Sequence, residues 1–439
     1  MTLKSFNISC PKSQNTAVSL GENSQIVIVT LVFAVFFLLW APKRNVYAVQ
    51  SPHEMGTTPG LTQAQIDDGW ISLFDGHSLY GWKRTSDATW RTTGSRLGEI
   101  YVGNRGAAAT ERQRGLLRTT SQFDDFEMTI EFKTSERSNS GIFLRTSPKP
   151  RDVTRDCYEL NIASPKDHEY PTGSLVGRAK CDLVVTPNEW HRFRIICDGA
   201  SIKVWIDDKV AVDYTDPNPT GRGYIGLQYN SGDAAFRKIA LKPLNTTVLF
   251  DGKDLDQWNA DNKLASKFDI TDAGEMQILG GRGQLESKEQ FGDFILSLQC
   301  KTNAKGLNSG VFYRCIPGEI MNGYESQIQN EFKSNRAVPA DCGTGGIFRR
   351  SNARRVNADD EKWFTKTIIA TGPHVSVWVN GYQVTDWSDT RKPDANPRRG
   401  LRLEKGTIQI QGHDPTTDIL MKNIRAKEIT TRWPEKKSK

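Results

Sequence analysis

The chain of 439 residues contains the same order of short motifs twice. SLFDGHSLYGW, residues 72 to 82, returns as VLFDGKDLDQW, residues 248 to 258. Five more matches follow in the same order, among them FDDFEMTIEFKTSERSNSGIFLR (123–145) with FGDFILSLQCKTNAKGLNSGVFYR (291–314) and GYIGLQ (223–228) with GTIQIQ (406–411). Ordered matches of this length indicate a duplicated structural unit, so the sequence predicts two tandem domains of one fold, here called the first copy and the second copy.

The positions of the matches set the predicted domain boundaries. We place the first copy at residues 69–244 and the second at 247–430, with a basic tail at 431–439. Residues 1–48 form a separate N-terminal segment, and residues 49–68 link it to the first copy. Because hardly any chain separates the two copies, we expect them to pack at a fixed angle.

The N-terminal segment is typical of a signal peptide or a membrane anchor. It contains IVIVTLVFAVFFLLWA, residues 26 to 41, an uncharged apolar run slightly shorter than the roughly 20 residues of a spanning helix. Val46-Tyr47-Ala48 fits a signal-peptidase site, which favours cleavage after Ala48. Lys43-Arg44 resists translocation and favours an uncleaved anchor. In both cases we expect an exported protein that is periplasmic, extracellular or membrane-anchored, with its domains outside the cytoplasm.

The net charge and the cysteine pattern limit which partners, metal sites and disulfides the sequence predicts. The formal net charge is +7 with scattered Lys and Arg, a pattern that does not favour nucleic acid as a partner. After Cys10, the six remaining cysteines include no CxxC pair, so a structural zinc site is not indicated. Cys157 and Cys181 could form one disulfide. The alternative is that the cysteines are buried free thiols that pack as small apolar residues.

The side-chain period within each copy is two. Phe126, Met128, Ile130 and Phe132 alternate with polar residues, and Phe294, Leu296 and Leu298 repeat the same spacing in the second copy. Such alternation is typical of antiparallel strands with one buried face, and Asn380-Gly381 is a strong hairpin signal. We therefore predict an all-β protein of two tandem β-sandwiches, each a jelly roll.

The motifs LFDG, NSGIFLR, YELN, the TG loop and NEW together resemble the 3-keto-disaccharide hydrolase family across nearly all of both copies. The resemblance implies a concanavalin A-like jelly roll that acts on carbohydrates oxidised at C3. Both copies depart from the family pattern. The first has Asn161 where the family prefers glutamine and His191 where it prefers asparagine, and the second has Phe364 after Lys362-Trp363.

Alternation along the strands suggests which side chains share a polar face. Glu159 and Asn161 share one face in the first copy, and Glu325, Gln327 and Gln329 share one in the second. With the resemblance, we take as candidate catalytic residues Glu159, Glu325, Arg145, Arg314 and His191. The candidate substrate-binding residues are Asn139, Asn161, Asn308, Gln327, Gln329, Trp205 and Trp378, where the two indoles would stack on a sugar ring. Arg145 and Arg314 could instead be structural, in buried salt bridges.

A 3-keto sugar allows cleavage by elimination followed by hydration. This route needs a base, Glu159 or His191 in the first copy and Glu325 in the second, with Arg145 or Arg314 stabilising the enolate. A divalent metal could replace the arginine, although no cluster has clear metal spacing. One alternative is a non-catalytic, lectin-like module that binds glycans, and another is one active copy docked on a supporting copy. Asp75 and Asp251 of the LFDG motifs suit tight turns and are expected to lie outside the site.

Overall fold

The computed structural model describes residues 60–93, 98–103, 110–163, 168–261 and 263–429. The predicted signal or anchor segment, residues 1–48, and the tail at 431–439 lie outside these residues. Within the described ranges, no helix has the length and apolar character needed to cross a bilayer. One short helix, α1 (Gln63–Asp67), precedes the first sheet, and Thr62 and Gln65 close its N-terminus as a capping box.

The first copy consists of thirteen described strands. In chain order they are β1 (Ile71–Ser72), β2 (Trp82–Arg84), β3 (Arg91–Thr92), β4 (Ile100–Val102), β5 (Gly115–Thr119), β6 (Phe126–Thr134), β7 (Asn139–Thr146), β8 (Tyr158–Ala163), β9 (His191–Asp198), β10 (Ser201–Ile206), β11 (Lys209–Thr215), β12 (Tyr224–Ser231) and β13 (Ala234–Pro243).

The second copy repeats this arrangement. Its strands are β14 (Thr247–Phe250), β15 (Trp258–Ala260), β16 (Lys267–Ile270), β17 (Met276–Leu279), β18 (Gly283–Phe291), β19 (Phe294–Thr302), β20 (Ser309–Cys315), β21 (Tyr324–Ile328), β22 (Phe364–Thr371), β23 (His374–Val379), β24 (Tyr382–Ser388), β25 (Gly406–Gly412) and β26 (Asp418–Glu428).

Each copy is a sandwich of one eight-stranded and one five-stranded antiparallel sheet. The eight-stranded sheets run in the orders β11-β10-β9-β6-β13-β4-β3 and β16-β17-β26-β19-β22-β23-β24, and β1 and β14 pair with β13 and β26. The five-stranded sheets run in the orders β2-β5-β12-β7-β8 and β15-β18-β25-β20-β21. The predicted all-β fold with two tandem sandwiches is therefore confirmed.

The cores lie between the two sheets of each copy, as the alternation predicts. Along β6, buried and half-buried residues alternate through all nine positions, and its buried Phe126, Met128, Ile130 and Phe132 belong to one apolar cluster. Alternation places these side chains against the opposite sheet because successive residues of a strand point to opposite faces.

The two copies also share a buried interface. Ile295, Ile369, Trp378 and Ile429 of the second copy pack in the same apolar cluster as the first copy's core. The indole Nε1 of Trp378 donates to the backbone oxygen of Ser72 at 2.9 Å. Trp378 is only 2% exposed, so its prediction as a sugar-stacking residue is wrong. The alternation rule failed here because the neighbouring copy covers the outer face of β23.

The LFDG motif of the first copy forms a turn that contacts the second copy. Asp75 accepts hydrogen bonds from the backbone nitrogens of His77 and Ser78, at 2.8 and 2.7 Å. It also forms a salt bridge with Arg354 of the second copy, at 2.8 Å. The carboxylate of Asp75 is thus occupied by the turn and by the interface, as expected for a structural residue.

The six cysteines of the described ranges are buried free thiols. The disulfide considered between Cys157 and Cys181 is not formed. Cys157 packs with Leu116 and Phe143 in a small cluster of its own, whereas Cys181 belongs to the core between the sheets. Because the two thiols lie in different apolar clusters, no bridge joins them.

Candidate functional site

A cavity lined by predicted site residues lies in the second copy. It is on the face of the five-stranded sheet that points away from the core. There Phe312, Cys315 and Met321 form an apolar cluster separate from the core of the sandwich. The cavity has a volume of about 510 Å³, and we call it the second-copy pocket. It is lined by Arg282, Asn308, Ile320, Met321, Asn322, Glu325, Gln327, Phe348, Arg398, Gln411 and His413.

Three predicted site residues therefore come together in this pocket, namely Asn308, Glu325 and Gln327. Glu325 lies on β21, directly opposite Phe312 of β20. Gly310, two residues before Phe312, leaves room for the glutamate, because a β-carbon at position 310 would lie 2.7 Å from Glu325 Oε1. The glycine of the NSG motif is thus a steric requirement for the position of the carboxylate.

Glu325 has the electrostatic properties of a general base. It is 7% exposed, and no residue in the described ranges donates a hydrogen bond to its carboxylate. Burial raises the pKa of Glu325 to about 7, against the opposing effects of Arg398, Lys366 and His413. A carboxylate with a pKa near neutrality accepts a proton more readily than an ordinary one and is still partly ionised at pH 7.

Lys366 lies behind the strand that carries Glu325. It is fully buried on β22, and its Nζ donates to the backbone oxygens of Ser326 and Gln327, at 2.7 and 2.9 Å. Burial lowers the pKa of Lys366 to about 7, while Cys300, Glu325 and Cys342 act in the opposite direction. The matching residue of the first copy is Phe193, so this buried amine is particular to the second copy.

Two glutamines supply unpaired amide oxygens at the pocket. Gln327 Nε2 donates to Asn308 Oδ1 at 2.7 Å, and Gln411 Nε2 contacts Met321 Sδ at 3.1 Å. In the described part of the chain, the Oε1 atoms of both glutamines lack a hydrogen-bond partner. A buried, unsatisfied acceptor is costly, so a ligand whose hydroxyl groups donate to these oxygens would be favoured.

The loop at residues 316–323 closes one side of the pocket. The backbone nitrogen of Met321 donates to Gln284 Oε1 and Gln409 Oε1, at 2.7 and 2.9 Å. Gln409 Nε2 donates in turn to Glu286 Oε1 at 3.0 Å. These polar side chains project from β18 and β25 and hold the loop over the sheet.

Sequence reasoning missed three ionisable residues of the pocket, namely Arg282, Arg398 and His413. Arg398 donates twice to the backbone oxygen of Met321, at 3.2 and 2.7 Å, and its guanidinium lies 5.4 Å from the centre of the Phe312 ring. One signal was present in the sequence. Sixteen residues separate Asp389 from Gly406, whereas six separate the matching Asp216 from Gly223, and Arg398 lies in this longer segment.

His413 follows the last strand of the five-stranded sheet and is supported by an acid. Its Nδ1 lies 2.8 Å from Asp414 Oδ2. Hydrogen bonds from Thr416 and His413 lower the pKa of Asp414 to about 2, so this carboxylate is ionised at neutral pH. The contact at Nδ1 orients the imidazole ring and leaves Nε2 for a ligand in the pocket.

The corresponding face of the first copy differs in its hydrogen bonding. Glu159 accepts a hydrogen bond from Gln228 Nε2 at 2.9 Å, and burial raises its pKa to about 7. Asn161 donates to the backbone oxygen of Tyr170, and its amide nitrogen and that of Asn139 each lie 3.5 Å from a ring nitrogen of His168. Glu159 and Asn161 of the first copy therefore have hydrogen-bond partners within that copy, although Oε1 of Gln228 lacks one in the described residues.

Arg145 and Arg314 do not join the glutamates, which corrects their prediction as catalytic residues. Each adopts a left-handed backbone conformation, with φ of 48°, at a β-bulge where one strand has an extra residue. The bulge reverses the alternation and turns the guanidinium away from the pocket. Arg314 donates to the backbone oxygens of Gly292, Gly372 and Arg402 and pairs with Asp293 at 2.9 Å.

Arg145 is held in the matching way in the first copy. It donates to the backbone oxygens of Asp124, Gly199 and Thr220, and it pairs with Asp125 at 2.8 Å. Both arginines therefore tie loops together at one end of their sandwich, which was the structural alternative considered from the sequence.

His191, Trp205 and Gln329 also lie apart from the glutamates. His191 starts β9 in the eight-stranded sheet, where its Nδ1 lies 2.7 Å from Asp207. Trp205 lies on β10 of the same sheet with the guanidinium of Arg194 above its ring at 4.6 Å. Both residues lie on the eight-stranded sheet, whereas Glu159 lies on the five-stranded sheet, so the structure does not bring them into one site with Glu159. Gln329 follows the end of β21 and is not among the pocket residues.

The described residues contain no set of side chains arranged to bind the divalent metal considered from the sequence. No group of three or more His, Cys, Asp or Glu side chains is arranged there to hold an ion. The ionisable side chains that meet in the pocket are one glutamate, one histidine and two arginines, a set that suits proton transfer and anion binding.

The fold and the pocket together define a tandem β-sandwich protein with one buried carboxyl group in a polar cavity. A family model described as the 3-keto-alpha-glucoside-1,2-lyase-like domain matches residues 69–242 and 245–427. The chain therefore belongs to this family, with two tandem domains, and the family predicted from the motifs is confirmed. The chain is also similar to a 3-keto-disaccharide hydrolase of Bacteroides thetaiotaomicron, 24% identical over 238 residues that cover 42% of this chain and 81% of the relative.

Three solved structures with similar folds each cover less than half of the chain. A candidate glycosyl hydrolase from Parabacteroides distasonis matches with a TM-score of 0.36 and 14% identity, over 43% of this chain and 99% of that one. A second from the same organism has a TM-score of 0.33 and 23% identity, over 42% and 100%. A carbohydrate-binding module from Bacillus subtilis has a TM-score of 0.29 and 16% identity, over 37% and 95%.

Proposed function

We propose that the chain cleaves the glycosidic bond of 3-keto-glycosides, such as 3-keto-disaccharides, in the second-copy pocket. One observation carries this proposal: Glu325 presents a buried carboxylate without a hydrogen-bond partner in the described residues, with its pKa raised to about 7, inside a cavity of about 510 Å³. A volume of this size suits a small saccharide. The family membership supports the same substrate class.

The proposed reaction is an elimination followed by a hydration. Glu325 removes the proton from C2, which the neighbouring C3 ketone makes acidic, and the electron pair forms an enolate. The enolate then forms the C1–C2 double bond, and the C1–O bond breaks. The departing oxygen takes a proton and leaves as the alcohol. Water adds across the C1–C2 double bond, with its hydroxyl at C1 and its proton at C2, and yields the free 3-keto sugar.

Two further groups of the pocket fit the remaining roles. Arg398 carries a fixed positive charge at the pocket and is the proposed donor to the enolate oxygen. His413, supported by Asp414 at 2.8 Å, is the proposed acid for the departing oxygen. Gln327 and Gln411 would orient the sugar by accepting hydrogen bonds from its hydroxyl groups.

We propose that the first copy supports the second instead of sharing in the reaction. Glu159 already accepts a hydrogen bond from Gln228, and the first copy lacks counterparts of Lys366 and of the segment that carries Arg398. This assignment follows the alternative of one active copy docked on a supporting one. The shared apolar cluster at the interface supports such a role.

We also propose that both copies lie outside the cytoplasm. The support is in the sequence, where an apolar run and a Val46-Tyr47-Ala48 site precede the repeat. Mass spectrometry of the mature N-terminus, together with accessibility of a C-terminal tag in intact cells, would test export and distinguish cleavage from anchoring.

The experiment that tests the reaction uses the full-length protein, a 3-keto-disaccharide and its unoxidised parent. We expect monosaccharide release from the oxidised sugar alone. In D2O, the released 3-keto sugar should carry deuterium at C2, because the proton lost there is replaced from solvent. A 3-keto-monosaccharide incubated without protein corrects for spontaneous exchange. Cleavage of the unoxidised parent at a similar rate, or release without deuterium at C2, would contradict the proposal.

A further inference from the structure

The arginines near the second-copy pocket differ in whether they pair with a carboxylate. Three that do not line the pocket each form such a pair. Arg391 lies 2.7 Å from Asp389 and Arg399 lies 3.3 Å from Asp394. Arg402 lies 2.6 Å from Glu404. Their charges are therefore neutralised locally, as is usual for arginine at a protein surface.

The arginines that line the cavity have no carboxylate partner among the described residues. Arg398 donates to the backbone oxygen of Met321, and Arg350 donates to the backbone oxygens of Arg349 and Arg398. The guanidinium of Arg349 lies over the ring of Phe348, at 5.1 Å from its centre, and forms no hydrogen bond or ion pair with the described residues. In the described part of the chain, the side chain of Arg282 makes no hydrogen bond or ion pair.

These arginines line two adjacent cavities. A smaller cavity of about 100 Å³, lined by Arg349 and Arg350, shares Glu325, Phe348 and Arg398 with the second-copy pocket. Glu325 is the carboxyl group that lines these cavities, and four guanidinium groups line them with it. Three acids act from behind the lining: Asp341 raises the pKa of Glu325, Asp389 interacts with Arg350, and Asp414 pairs with His413. The side chains that line the cavities therefore carry a net positive charge.

The first copy shows that this charge is not a general property of the fold. Arg178 occupies the position that matches Arg350, in TGSLVGR and TGGIFRR. Its Nε lies 3.6 Å from Asp216, and both side chains are buried. The matched arginine thus forms an ion pair in the first copy, whereas Arg350 forms none in the described residues and interacts with Asp389 only at longer range.

We propose that the second-copy pocket takes a saccharide that carries an anionic substituent, either the carboxylate of a uronic acid or a sulfate ester. Arginine binds both groups through paired hydrogen bonds, and each offers the negative charge that the cavity lacks. The proposal rests on the proposed function only in treating this pocket as the sugar site, since anion recognition does not depend on the elimination step.

Binding measurements with unreactive sugars test the proposal separately from turnover. The full-length protein is titrated in a calorimeter with three unoxidised disaccharides, one neutral, one with a glucuronic acid and one with a sulfate ester. We expect at least one acidic sugar to bind about tenfold more tightly than the neutral one at low ionic strength. High salt should reduce this preference because it screens the charges. Comparison of the two acidic sugars identifies the preferred group.

Variants then locate the preference. In the double variant Arg282→Gln, Arg349→Gln the ratio of acidic to neutral affinity should fall toward one. Arg399→Gln, outside the pocket, should keep the ratio of the wild type. Equal or tighter binding of the neutral sugar, or a preference that survives the double variant, would overturn the proposal. An acidic preference without turnover of any 3-keto sugar would support this proposal and contradict the elimination reaction instead.

Discussion

A β-carbon on Gly310 would lie 2.7 Å from Oε1 and 2.9 Å from Cγ of Glu325, so the glutamate occupies space that only glycine leaves open. The Gly310→Ala substitution should displace the carboxylate and lower kcat by about tenfold or more, because a small misplacement of a reacting group is costly. Rates on a 3-keto-disaccharide and a melting curve together test this prediction.

Gly141→Ala is the matched control in the first copy. A β-carbon there would approach Leu160 O at 3.2 Å and Glu159 Cγ at 3.5 Å, which is a much milder contact. We expect this variant to keep its activity. Equal loss of activity in both variants would show that the glycines serve folding and not the position of Glu325.

Lys366 should influence the pH dependence of the reaction. Its positive charge lowers the pKa of Glu325, so Lys366→Met should move the ascending limb of the kcat/KM profile to higher pH. Phe193→Met, at the matching position of the first copy, should leave the limb in place. A profile that is unchanged in Lys366→Met, with normal folding, would contradict the coupling.

Lys366 should also shape the pH dependence of stability. Burial lowers its pKa in the folded state from its ordinary value to about 7, so the unfolded chain binds more protons between these two pKa values. The contribution of Lys366 to the free energy of unfolding must then rise with pH from about 7 to 10.5. In Lys366→Met the free energy of unfolding should no longer rise over this pH range. Denaturant titrations at several pH values would measure it.

Arg314 should matter for stability more than for chemistry. Its guanidinium is buried, pairs with Asp293 and donates to three backbone oxygens. Arg314→Met leaves these groups unpaired and should lower the free energy of unfolding by about 3 kcal/mol or more. Lys253→Met, which removes an exposed pair with Asp251, should leave the unfolding midpoint almost unchanged. Full stability in Arg314→Met would contradict the structural role.

The number of unfolding transitions tests whether the interface couples the two copies. The buried indole of Trp378 packs with the first copy's core and donates to Ser72. We expect one cooperative transition in calorimetry for the wild type and two for Trp378→Ala, because a buried tryptophan contributes roughly 3 to 5 kcal/mol. Trp205→Ala, on the outer face of the first copy, should keep a single transition. Two transitions in the wild type would show that the copies unfold independently.

Much of this architecture could be predicted from the sequence because it depends on local patterns. The period of two places Phe126, Met128 and Ile130 in the core without knowledge of the partner strands. The same rule places Glu325 and Gln327 on one face, and the pocket contains both. Because the two copies share their motifs, the faces predicted for one copy also apply to the matching strands of the other.

The errors arise where local alternation is interrupted or where distant segments meet. A bulge turns Arg314 away from the face that strict alternation assigns to it. The contact with the first copy buries Trp378, and no pattern within β23 reveals that neighbour. Arg398 and His413 reach Glu325 from segments more than 70 residues away, so only the assembled fold brings them to the pocket.

The most direct test of the central claim compares Glu325→Gln with Glu159→Gln on a 3-keto-disaccharide. If Glu325 is the base, its variant should lose at least about 10²-fold in kcat and still bind substrate, since glutamine keeps the shape but cannot accept the proton. The Glu159 variant should retain most of its turnover. Full activity in Glu325→Gln would contradict the assignment of the reaction to the second-copy pocket. A loss of about 10²-fold in Glu159→Gln, with normal activity in Glu325→Gln, would contradict it as well.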